Sequence, residues 1–84
     1  MINHSKKAKL LWQCRRGMLE LDLILNRFAE RYIEELSERQ LEAFDKLLNC
    51  SDPELYSWLM GYEQAADKEL ADIVEFIKLQ DYPR

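Results

Sequence analysis

Turn-forming residues are scarce in this chain, which holds two glycines and two prolines, all four where helical patterning starts or stops. No segment alternates apolar and polar residues for long enough to be a strand, so an all-α fold is the reading that remains. Metal ligands of the soft kind are equally few. Cys14 and Cys50 are accompanied by one histidine, His4, which is too little for a tetrahedral zinc site from one chain; no bound metal and two reduced thiols are expected. A glycine-rich phosphate loop and a dinucleotide fingerprint are both missing, so any cofactor is expected to belong to a partner. Neither Cys14 nor Ser5, Ser37, Ser51 or Ser57 has an evident base beside it, which argues against an enzyme with its own active site. Apolar runs fall far short of the roughly 20 residues that a membrane helix needs. The opening Met1-Ile2-Asn3-His4-Ser5-Lys6-Lys7 lacks the apolar core of a secretion signal, and a cytoplasmic protein with no membrane insertion is expected.

What the chain does contain is charge and helical periodicity. Of its 84 residues, 48% are hydrophobic and 33% charged, which suits a single small domain over residues 1–84 with a modest core. The charge is unevenly spread: residues 1–31 carry a net of +4 and residues 32–84 a net of −8. A basic N-terminal part on an acidic protein is better suited to a protein partner than to nucleic acid, for which a basic domain is the usual footprint.

Five helices are predicted, packed as a compact bundle with short connections. The first runs from about Ser5, its expected cap, to Cys14, with Ala8, Leu11 and Trp12 on its apolar face. The second spans about Met18 to Glu35, with Leu21, Ile24, Leu25, Phe28 and Tyr32 at the three- and four-residue spacing of a buried stripe. Ser37 and Gln40 have the spacing of a capping box for the third, which ends near Asn49 and buries Leu41, Phe44, Leu47 and Leu48. Asp52-Pro53 reads as cap and first position of a short fourth helix closed by Gly61, with Leu55, Trp58 and Leu59 inward. The fifth covers about Ala65 to Gln80, with Leu70, Ile73, Val74 and Ile77 inward and Pro83 as its stop. Trp12 and Trp58 both fall at helical spacing with other apolar residues, so packing in the core is expected of them rather than a role as interface anchors.

Arg15-Arg16-Gly17-Met18-Leu19-Glu20-Leu21-Asp22 departs from this regularity, with four charges and a glycine within eight residues. Gly17 separates two cations from two carboxylates, either as the cap of the first helix or as the lead-in to the second. The residues alone allow a solvated turn or a docking surface. Glu20 and Asp22, two apart on a helix, point in different directions and do not form a catalytic acid–base pair. Lys6, Lys7, Lys9, Arg15 and Arg16 are interrupted by apolar residues and followed at once by carboxylates, a poor pattern for phosphate binding.

Arg16-Gly17-Met18-Leu19-Glu20 resembles the RGxxE motif of the succinate dehydrogenase assembly factor 2 family, called SdhE in bacteria, and Arg15 and Asp22 extend it to RRGxxELD. Trp12, Cys14, Asp52-Pro53-Glu54-Leu55 and Ser57-Trp58-Leu59-Met60 also stand where bacterial members have similar residues. The resemblance implies a five-helix assembly factor that binds the flavoprotein subunit of succinate dehydrogenase, and in many bacteria that of fumarate reductase, and promotes covalent attachment of FAD to a histidine of that subunit. Carried over, Arg16, Gly17 and Glu20 match the motif; Arg15, Met18 and Asp22 beside them, with Lys9, complete the expected partner-binding set. One departure is Gln64-Ala65-Ala66, where relatives tend to have a proline before the last helix. Two other readings are an antitoxin acting with a toxin on cytoskeletal proteins, which the same family history includes, and a small nucleic-acid-binding regulator.

Overall fold

A computed structural model describes residues 3–81. Its five helices are α1 (His4–Gln13), α2 (Leu19–Tyr32), α3 (Glu38–Leu48), α4 (Asp52–Leu59) and α5 (Lys68–Asp81), with no strand among the described residues. The all-α expectation is met. Helix α5 lies centrally, against α3, α2 and α4, while α1 packs on α2 and α3. The expected stop at Pro83 lies outside the described residues.

The core follows the sequence pattern most closely where the apolar stripe is broad. Leu41, Phe44, Leu47 and Leu48 of α3 and Leu70, Ile73, Val74 and Ile77 of α5 are all buried. On α2, Leu21, Leu25, Phe28 and Ala29 are buried, while Ile24 and Tyr32 pack at the margin. Phe28 is the hub of an aromatic cluster, with its ring 5.4 Å from Phe44, 5.5 Å from Tyr32 and 5.7 Å from Phe76. Such tilted and edge-on arrangements add about 0.5–1.5 kcal/mol per pair to the area each ring buries.

Local capping explains where the helices begin, and it corrects three expectations. Asn3, not Ser5, caps α1, its side chain accepting the Lys6 N–H at 2.8 Å. Ser37 and Gln40 form the predicted capping box on α3. A second box, formed by Ser51 and Glu54, starts α4, which makes Asp52 the first helical residue and frees its carboxylate for other use. Helix α5 begins later than predicted because Asp67 caps it, accepting the N–H groups of Glu69 and Leu70. Helix α2 ends earlier, at Tyr32, with turns over residues 33–36.

The first helix is also rotated relative to expectation. Leu10 and Cys14, four apart, are the residues it buries, with Leu11 at the edge. Ala8 and Trp12 therefore face outward, and Trp12 is 75% exposed rather than packed in the core. Trp58 is half-buried against the core, as expected. No helix among the described residues is long and apolar enough to cross a membrane.

Candidate functional site

Residues 14–18 connect α1 to α2, and their conformation is imposed by Arg16. The Arg16 N–H donates to Asp22 Oδ1 at 2.6 Å, which closes the connection onto the first turn of α2. Its side chain turns the other way. Nε donates to Asp52 Oδ1 at 2.8 Å, Nη1 to the carbonyls of Gln13 and Leu48 at 3.1 and 2.7 Å, and Nη2 to the carbonyl of Cys50 at 2.8 Å. Gln13 and Leu48 are the last residues of α1 and α3, so one guanidinium serves the carbonyl-rich ends of two helices, where the macrodipole favours a cation. The same group pairs with the first residue of α4. With side-chain exposures of 16% and 33%, this Arg16–Asp52 pair is shielded enough to hold the three helix ends together.

Gly17 follows with φ +83°, a conformation that L side chains rarely adopt. An added Cβ would meet nothing within 4 Å, so the glycine is needed for the backbone path alone and leaves open space above it. It leads into α2 rather than capping α1, whose C-cap is Cys14. Met18 is the N-cap of α2 without a side-chain cap bond and packs half-buried on the core. Asn26 completes the inner network by donating to the carbonyl of Asp22 at 2.7 Å and, more weakly, to that of Cys14 at 3.5 Å.

The charged stretch thus divides into an inner and an outer set. Arg16 and Asp22 are engaged within the molecule, whereas Arg15, Gly17 and Glu20 are exposed. Glu20 stands beside Tyr56 of α4: Tyr62 and then Glu20 push the Tyr56 hydroxyl pKa up. Lys9 is exposed on α1 in a separate recess with Lys6 and Asp45, apart from the turn. Leu19 and Leu23, four apart on α2, add an outward apolar strip, Leu19 being 70% exposed.

Cys14 is fully buried behind the turn, and burial pushes its thiol up to about 12, with Arg16 opposing and Asp22 reinforcing the shift. Burial also raises Cys50. Neither is an activated nucleophile. Among the described residues there is no group of three or more metal-ligating side chains. The open recesses beside Arg39 and Ile73 and beside Lys6 and Asp45 are not lined by residues 15–22.

Sequence reasoning missed Asp52, Tyr56, Tyr62 and Leu19 as parts of this surface or its support. Asp52 had a detectable signal, since Ser51-Asp52-Pro53-Glu54 carries the same box spacing as Ser37–Gln40 and so releases Asp52 from capping.

A family model described as the flavinator of succinate dehydrogenase matches residues 8–81. The chain belongs to that family. Among curated relatives, the FAD assembly factor SdhE of Legionella pneumophila (strain Lens) is 54% identical over 77 residues, covering 92% of this chain and 96% of the relative. The FAD assembly factor SdhE of Idiomarina loihiensis is 45% identical over 71 residues, covering 84% and 79%. The solution structure of a UPF0350 protein superposes with a TM-score of 0.81 at 37% identity, covering 96% of this chain and 86% of that one. These family members carry the names of assembly factors, not enzymes.

Proposed function

We propose that the chain binds the flavoprotein subunit of succinate dehydrogenase, in the cytoplasm, and promotes covalent attachment of FAD to that subunit, with the flavoprotein of fumarate reductase as a further client. FAD is carried by the partner, and the helper contributes a surface. The observation that carries this reading is the division of the motif: Arg16 and Asp22 fix the turn from inside, so that Arg15, Gly17 and Glu20 are presented outward on a rigid corner, with Met18 supporting them. Lys9, exposed on α1 in its separate recess, would be a second contact away from this corner. A partner held on such a corner can have its flavin and its reactive side chain brought into register, and positioning alone accelerates bond formation by many orders of magnitude in favourable cases. The helper need supply no acid or base.

Reconstitution tests the proposal. Purified flavoprotein subunit lacking covalent flavin is incubated with FAD with and without this chain, and in-gel flavin fluorescence is read after denaturation. Faster covalent labelling in the presence of the chain is expected; identical time courses reject the function.

A further inference from the structure

Helix α1 is held less firmly than the helices it joins. Of its ten residues it buries Leu10, whereas α4 buries Leu55 and Leu59 and α3 buries five residues. Among the described residues, the side-chain tie from residues 5–12 to the rest of the chain is the ion pair of Lys7 with Glu34. The two side chains are 33% and 56% exposed, and an ion pair so open to water contributes little.

The seat of α1 on α3 is also imperfect. Asp45 of α3 lines a recess with Lys6, Lys9 and Leu10 of α1. Although both lysines stand at this recess, Asp45 Oδ1 is buried from water with no hydrogen-bond partner among the described residues, and so is Gln13 Oε1, one turn beyond Leu10. A buried acceptor without a donor costs the folded state its desolvation, and this cost is recovered when the helix lifts away.

Past Gln13 the anchoring changes. The Gln13 carbonyl accepts from Arg16 Nη1 at 3.1 Å, Cys14 is fully buried, and the Arg16 guanidinium holds the ends of α3 and α4. A loosely seated helix is thus joined to a braced corner. Once undocked, ten residues are too few to stay helical in water.

We propose that α1 opens from α2 and α3 as one unit, hinging at Gln13, while the corner and the other four helices stay folded. Lys9 and the exposed Trp12 ride on the moving segment, so opening changes their placement relative to the turn.

Native-state hydrogen exchange of the full chain, read by NMR in low urea, tests this. The amides of residues 7–11 are expected to share one rate, at least tenfold faster than the slowest amides of α3 and α5, with a weaker urea dependence. Asp45→Leu, which puts an apolar group of the same branching in place of the orphan acceptor, is expected to slow them about tenfold. Phe76→Leu, in the aromatic cluster of α2 and α5, is expected to speed exchange in α3 and α5 and to leave residues 7–11 unchanged. Rates graded residue by residue from Lys7 signify fraying from the end and overturn the proposal. So do a urea dependence equal to that of α5, an Asp45→Leu variant whose α1 amides exchange as fast as wild type or faster, and an equal acceleration of all helices by Phe76→Leu.

Discussion

Arg16 and Asp52 meet at 2.8 Å across 36 positions of sequence, and their contact ties the connection between the first two helices to the start of the fourth. Because the same guanidinium also serves three carbonyls, the loss of Arg16 strands several acceptors at once. Arg16→Ala is expected to cost about 2–4 kcal/mol, a large share of the stability of so small a protein. Arg16→Lys, which cannot reach all four acceptors, should fall between. Denaturant melts check this, and a loss below about 0.5 kcal/mol for the alanine variant contradicts the bracing role.

Arg15→Ala should separate from its neighbour. Arg15 is exposed, so its removal is expected to change stability by less than about 0.5 kcal/mol while weakening flavoprotein binding. Equal effects on melting and binding for the two arginines would contradict the division into inner and outer residues.

Gly17 offers a cleaner separation of backbone from surface. Gly17→Ala meets no neighbour and carries only the cost of φ +83°, about 1 kcal/mol. Gly17→Arg incurs the same strain and fills the open space above the turn. Circular dichroism should show both variants folded, with partner capture lost only for arginine.

The thiols should respond unequally to an alkylating reagent. Cys14 is fully buried and its thiol is raised to about 12, whereas Cys50 is half-buried at the surface. Mass spectrometry of the native protein at pH 8 is expected to find Cys50 modified first and Cys14 only on unfolding.

Acid should weaken the cap of the fifth helix. Asp67 is held below the ordinary aspartate value by its bond to Lys46 and then by the Leu70 N–H. Its contribution is therefore complete above the unfolded value near pH 4 and is lost as pH falls through the lower folded value. The difference in melting temperature between wild type and Asp67→Ala should be constant at neutral pH and close on acidification below about pH 4.

How legible each part was depends on how local its cause is. Helix α3 could be read because a capping box and a wide apolar stripe coincide within twelve residues, Ser37–Leu48. Helix α1 could not be phased correctly, because Leu10, Leu11 and Trp12 are consecutive and only the position of Cys14 inside the fold decides which of them turns inward. The motif was visible as an anomaly of charge, and its resemblance gave the family. Its inner half was not visible: the acceptors at Leu48, Cys50 and Asp52 lie 32 to 36 residues from Arg16, and two of them are main-chain carbonyls with no side-chain signature.

Bracing the corner from within also bears on how the protein lets go. A turn already frozen by Arg16 forfeits little conformational freedom on association, so even a small contact area can suffice for capture. The same small area leaves few bonds to break at dissociation, which favours short residence. Under the proposed function, a rigid corner is thus suited to repeated cycles of capture and release.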